Sequence, residues 1–517
     1  MPNSTRSVRI LLSASEAYPA LERAFLGADR EIWASFMVFD LTTLLRSPEA
    51  QAIGKTWFDL VVHTLNRGVS LHIMISDADP IARAAMHRAA TRNLRMFSAA
   101  AATAKPGVKL HVLRPRHPAQ TGALVRLAIW PYAMQKLFKI KKWLNGLNPA
   151  CRTAALRDMD SAERLLLVRP DGTVTVRLWS MPRLFPVVHH QKLAVFDRRA
   201  LYIGGLDLDE RRYTAPTHQR VGNHAWHDVQ LMIEGPIVAE AQQHLETFQN
   251  VIDGSMDPPR TRRLLRTISR PHRGSLWHYG PELVVGELWS AHLILSQRAK
   301  NLIYMESQFF RDIRLARALA ETARRTPGLK MILILPAAPD GIVSGSAKTL
   351  DIRFTGTMQA TAISILRSGF RSRLFVGSPA HPPALLPDGE TGKPDQQHRA
   401  LQTHVHAKVS IFDDTSAIVS SANLSTRGLR WDTEAGVYLT NENDVIELRY
   451  RVMAHWLPNN VGSDALDGAT AMQAWARIAW HNASKPHAER DSYLLPHTFA
   501  AAEAFGRKQP TPPPQYA

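Results

Sequence analysis

Two short stretches of this 517-residue chain carry the same reactive residues at the same spacing. His190 is followed by Lys192 and Asp197, and His406 by Lys408 and Asp413, so each stretch reads His-x-Lys-x4-Asp. Imidazole titrates near neutral pH and serves as nucleophile or as general acid and base, while an ammonium two residues away supplies charge for an anion. Each stretch runs through four apolar-rich positions, a polar turn and a second β-branched run, which predicts a β-hairpin. On a strand, side chains i and i+2 share a face, so His190 and Lys192 point one way, as do His406 and Lys408. Asp197 and Asp413 lie an odd number of residues from their histidines and are expected to face away, as structural carboxylates. Two His/Lys pairs converging on one site would clamp a phosphate between cations and flank its phosphorus with two imidazoles. That chemistry is phosphodiester cleavage in two displacements through a phosphohistidine.

The elements that must position these residues are themselves repeated. Behind the first hairpin stands Gly204-Gly205-Leu206-Asp207, and behind the second Ser420-Ser421-Ala422-Asn423. Upstream, Ile32–Phe39 aligns with Ile303–Phe310, each after a helix-like stretch (Ala14–Arg30 and Glu287–Lys300) and before a second strand-like run (Val69–Ile75 and Leu329–Leu335). Downstream, Trp226-His227-Asp228 and Trp431-Asp432-Thr433-Glu434 each lead into an apolar strand and a helix. The alternation of helices and strands is that of the α/β class. We expect residues 1–260 to form a first repeat with an insertion at 115–183, residues 275–465 a second, and 466–517 an extension with a proline-rich tail. A loop rich in Pro, Gly, Asp and Gln is expected over 377–398.

Composition bounds the rest. With 63 Lys and Arg against 45 Asp and Glu, the net charge is +18, which points to a polyanionic partner, either an anionic membrane surface or nucleic acid. Cys151 is the one cysteine, so no intramolecular disulfide and no thiolate metal cluster can form. Glu16 and Glu22 break the only apolar stretch near the N-terminus, and no run reaches the roughly 18 apolar residues of a membrane span. A cytoplasmic or peripheral membrane protein without a Sec signal, monomeric, is the expectation, with export by a signal-independent route left open. His189 with His190, and His404 with His406, could be read as metal ligands, but the adjacent lysines would repel a divalent cation, so no metal and no organic cofactor is expected. The glycosylation sequons at Asn3, Asn423 and Asn482 are read as accidental. In Leu124–Leu147, Leu137, Ile140, Leu144 and Leu147 recur at helical spacing among lysines and Trp130, Tyr132 and Trp143. This segment reads equally as a helix lying in a lipid headgroup layer and as a helix packed on the first repeat.

The doubled motif with its downstream context resembles the phospholipase D superfamily over roughly Leu11 to Trp456. Tyr304-Met305-Glu306-Ser307-Gln308-Phe309-Phe310 is similar to the Glu-Asn-Gln-Phe strand of phosphatidylcholine-type enzymes. The resemblance implies two homologous α/β/α sandwich domains about a pseudo-twofold axis with one shared active site. It implies His190 as nucleophile and His406 as the acid that protonates the leaving alcohol and later activates water or an acceptor alcohol. Lys192, Lys408, Asp207, Asn423 and Gln308 would line the phosphate site, and Asp228 and Glu434 would orient the imidazoles. The expected reaction is hydrolysis or transphosphatidylation of a glycerophospholipid such as phosphatidylcholine, at a membrane surface. The alternatives are a nucleic-acid phosphodiesterase of the same superfamily and a membrane-binding protein that has lost catalysis. Two departures bear on head-group preference: Ser420 stands where glycine is usual, and Asp209-Glu210-Arg211-Arg212-Tyr213 where eukaryotic-type enzymes tend to have Gly-Arg-Tyr-Asp.

Overall fold

A computed structural model describes residues 7–161, 164–213, 226–272, 274, 276–336, 350–380, 403–458, 460–486, 489–492 and 494–497. The proline-rich tail, Asn3 and most of the loop expected over 377–398 lie outside those residues. The first half builds a seven-stranded sheet in the order Val8–Leu12, Val229–Glu234, Ala200–Gly204, Leu193–Phe196, Glu31–Phe36, Ser70–Ile75, Leu110–Leu113. In the second half, Leu264–Arg270, Glu434–Leu439, Ser416–Ser420, Val409–Phe412, Leu302–Glu306, Lys330–Ile334 and Leu374–Pro379 stand in the same order within a nine-stranded sheet. Pair directions match as well. The first five strands of each series are antiparallel, and the last two extend the sheet in parallel.

Register matches to the residue. Leu193 pairs with Ile203 and Val409 with Val419, each set lying three and thirteen residues past its histidine. Ile32 faces Phe196 as Ile303 faces Phe412, so the alignment of the two upstream strands holds. Both hairpins are predicted correctly, and Asp197 and Asp413 sit in their turns with φ near +50°. Asp197 accepts the backbone N–H groups of Asp29, Arg30 and Glu31 at 2.7–2.9 Å, and Asp413 those of Lys300, Asn301 and Leu302 at 2.8–3.0 Å. Each carboxylate therefore ties its hairpin turn to the start of the neighbouring strand.

The departure at Ser420 has a packing explanation. Gly204 lies across from Gln230, and a Cβ on Gly204 would come 1.6 Å from Gln230 Oε1. Ser420 lies across from Gly436 at the equivalent pair, where a Cβ on Gly436 would come 2.5 Å from Ser420 Cβ. One member of the pair must be glycine, and the two halves place it on opposite strands.

The inner faces of both sheets share one core, in which Phe248 of helix Ile237–Asp253 and Val452 of helix Glu442–Ala454 are buried. Separate outer cores lie under helices Ser13–Gly27 and Trp57–Asn66 in the first half and under Ile313–Arg325 in the second. Part of the C-terminal extension packs on the second sheet. Trp475, on helix Ala471–Ser484, is buried edge-on to Tyr304, and Leu494–Pro496 pairs with Gly377–Pro379, covering a sheet edge.

The insertion folds as helices Ala123–Ala128, Trp130–Asn145 and Pro149–Arg157 with a small hairpin, Leu166–Val168 and Val174–Val176. Leu137, Ile140 and Leu144 are buried in a core of their own with Ile81 of the first half. That apolar stripe is therefore not a lipid-facing surface. Among the described residues, no helix is long and apolar enough to cross a membrane.

Candidate active site

Both motif histidines sit just before their hairpins, where the two halves meet. The His190 N–H donates to the Thr433 carbonyl at 2.7 Å, and the His406 N–H donates to the His227 carbonyl at 2.8 Å. Short parallel bridges, His189 with Thr433 and Val405 with His227, occupy equivalent places one residue earlier. The chain thus crosses over twice. Each histidine is pinned by the backbone of the other half.

The side chains cross over in the same way. His190 Nδ1 lies 3.0 Å from both oxygens of Glu434, and His406 Nδ1 lies 2.6 Å from Asp228 Oδ2. A carboxylate at Nδ1 favours the tautomer with its proton there, which leaves the Nε2 lone pair for chemistry. Ser421 donates to Glu434 at 2.5 Å, so this carboxylate is oriented in turn. The sequence left open which acid meets which imidazole. The structure places Glu434 beside His190 and Asp228 beside His406, each acid against the histidine of the opposite half.

Lys192 and Lys408 are buried, and their ammonium groups donate to the carbonyls of His190 and His406. Alternation along the chain holds here, because Gln191 turns the other way to donate to Ser35 and meet His244. Asp207 is buried too, but its carboxylate accepts the N–H groups of Met37 and Val38 and lies 3.6 Å from Lys192 and 3.0 Å from Arg212. It anchors two cations. Asn423, the equivalent of Asp207, donates to Gln308 Oε1 at 3.4 Å, and Gln308 Nε2 is 3.4 Å from His404 Nε2.

Burial sets the electrostatics. It holds both imidazoles well below their ordinary value, and the neighbouring lysines and Arg212 push the same way. Burial also pulls Lys408 down to about 7 despite Asp228, and pushes Asp228 up to about 6. Glu434 is raised by burial against the pull of Lys192. Among the described residues, no three His, Cys, Asp or Glu side chains cluster as a metal ion would need.

Two further side chains, quoted in the sequence but given no role there, stand at the site. Arg212 lies over the Trp226 ring at 5.0 Å and beside Asp207; its signal is a basic residue five positions after Asp207, as Arg427 stands four after Asn423. Behind His406, buried Glu306 accepts from Tyr304 at 2.5 Å and Trp456 at 2.9 Å and lies 3.1 Å from His227 Nε2. This carboxylate fixes the residue whose carbonyl holds His406.

A family profile described as "Cardiolipin synthase, PLD-like domain" matches residues 295–456, which include the second motif, Asn423 and Glu434. Cardiolipin synthase B of Escherichia coli (strain CFT073) is 27% identical over 266 residues, covering 49% of this chain and 52% of that protein. Phospholipase D alpha 1 of Arabidopsis thaliana is 22% identical over 372 residues, covering 50% and 46%. The chain is thus similar to the phospholipase D superfamily, its residues 295–456 matching the PLD-like domain. It spans about half the length of these curated relatives of the superfamily. The solved phosphatidylserine synthase of Haemophilus influenzae overlays 86% of this chain and 84% of its own with a TM-score of 0.47 at 11% identity.

Proposed function

We propose that this protein is a phospholipase D-type phosphodiesterase that hydrolyses or transphosphatidylates glycerophospholipids, turning phosphatidylcholine into phosphatidate and choline. The observation that supports it most is the pair of His/Lys units, each imidazole backed by a carboxylate of the other half. His190 Nε2 attacks phosphorus and forms the N–P bond as the P–O bond to the head group breaks. His406 delivers its proton to the departing oxygen. Water or an acceptor alcohol then gives a proton to His406 and attacks phosphorus, breaking the N–P bond and releasing His190. Lys192 and Lys408 neutralise the phosphoryl oxygens, while Asn423 and Gln308 complete the wall around them.

For the first step His190 must be neutral, and the Asp228–His406 pair must hold one extra proton. Burial favours the first condition down to well below pH 6.5. With Asp228 at about 6 and Lys408 at about 7, the pair and then the ammonium lose protons as pH rises. We expect kcat/KM to be highest on the acid side of neutrality, to fall above about pH 6, and to fall with a steeper slope above about 7. In Lys408→Arg the second proton loss disappears, so the alkaline slope returns to one proton. A slope unchanged by that substitution would remove Lys408 from this account.

The deciding assay presents phosphatidylcholine vesicles with a primary alcohol, and single-stranded and duplex DNA in parallel, with chelator throughout. Phosphatidyl-alcohol is the expected product. Cleavage of DNA with intact lipid would establish the nucleic-acid reading that the +18 charge also accommodates. Turnover of neither would leave a binding protein.

A further inference from the structure

The two most exposed tryptophans lie on neighbouring segments among other exposed apolar side chains. Trp179 is 98% exposed and Trp277 73%, with Leu127, Leu178, Met181 and Leu276 also exposed. Hydrogen bonds bring these segments together: Gly122 N–H to His278 O at 2.7 Å, Leu124 N–H to Leu276 O at 3.1 Å, and Trp130 Nε1–H to Ser180 O at 3.4 Å. Exposed aromatic surface of this size marks a face that meets a membrane or another macromolecule.

The rim these segments form borders the active site. Tyr279, two residues and so at most about 7 Å of chain from Trp277, packs its ring 5.8 Å from that of Trp431. Trp431 is three residues before Glu434, the partner of His190. On the other side, Leu184 takes the Thr121 N–H and stands six residues before His190. The rim also belongs to a basic part of the chain. Residues 115–183 hold twelve Lys and Arg against four Asp and Glu, a net +8 of the total +18.

We propose that this rim docks the protein on an anionic phospholipid bilayer, with Trp179 and Trp277 seated at the headgroup–acyl boundary beside the site and the insertion's cations against the charged surface. Indole prefers that boundary, because its ring is apolar and its N–H remains wet. Cationic residues near an anionic surface add attraction that salt removes. The inference deepens the proposed function and names its membrane contact, but it is scored by binding alone.

The test uses the full chain with vesicles of phosphatidylcholine, pure or mixed with phosphatidylglycerol, in a sedimentation assay. Wild-type protein should sediment with the mixed vesicles and be released when salt rises from about 0.1 to about 1 M, where screening shortens to roughly 3 Å. Trp179→Ala and Trp277→Ala should each weaken binding roughly tenfold, with unchanged circular dichroism and unchanged hydrolysis of a soluble aryl phosphodiester. Vesicle binding equal to wild type in the double variant would overturn the proposal. So would a wild-type dimer that becomes monomeric in that variant, because a second copy would then be the occupant. Tryptophan-dependent binding without lipid turnover would keep the docking surface and remove the reaction.

Discussion

His190→Ala and His406→Ala should each reduce phosphodiester turnover by roughly 10⁴- to 10⁶-fold, the range for losing a group that makes or breaks covalent bonds. Neither histidine is a core-packing residue on the scale of Phe248 or Trp456, so both variants should fold, with far-ultraviolet dichroism and melting temperature close to wild type. The two variants differ in what they accumulate. With a phosphorus-labelled substrate that has a good leaving group, His406→Ala should still form the N–P bond, because such a group departs without a proton. It should then stall, since no base activates water. Acid-labile, base-stable label on the protein is the expected result, and His190→Ala should carry none. Label in His190→Ala and none in His406→Ala would reverse the two roles. Label in neither, with turnover retained, would remove the mechanism.

Glu434→Gln and Asp228→Asn carry the second-largest expected effect. An amide of the same shape keeps the packing but no longer stabilises an imidazolium, and it permits the wrong ring tautomer. In a comparable carboxylate–imidazole pair this change costs about 10⁴ in kcat. We expect a loss of roughly 10²- to 10⁴-fold in kcat with little change in KM, because the substrate contacts come from lysines, Asn423 and Gln308. The crossing of partners makes a sharper test possible. In Glu434→Gln, formation of the labelled enzyme should slow; in Asp228→Asn, its breakdown should slow. If each acid served the histidine of its own half, the two kinetic phenotypes would be exchanged. Glu434 and Asp228 are both buried and raised by burial, so neutral amides should leave stability unchanged or higher.

Much of the fold was legible because its signals are local. The period of two separates Lys192 from Gln191 and sets Asp197 apart from His190, and the structure follows both. Repetition exposed the equivalent strands, since Ile32 and Ile303 occupy the same register against Phe196 and Phe412. The partner of each histidine was not legible, because Glu434 is 244 residues from His190 and the choice between it and Asp228 depends on how two separately folded sheets face one another. Asp207 was placed at the phosphate by analogy, whereas its carboxylate is engaged by two backbone N–H groups and two cations. The stripe at Leu137, Ile140 and Leu144 fits a membrane or a core equally well by periodicity. Packing against Ile81 decides for the core, while the exposed indoles lie in loops without any period to reveal them.

The crossing of backbone and carboxylate between halves also has a consequence for assembly. Each half supplies an imidazole whose carboxylate and backbone partners come from the other half, and the shared inner core is open until the two meet. The connection through Gly254–Arg263 therefore acts as a tether. It converts what would be an obligate association of two similar chains into an intramolecular event at high effective concentration. Once the partner is covalently attached, the two halves are free to diverge. Gly204 with Gln230 on one side and Ser420 with Gly436 on the other are a visible trace of that freedom.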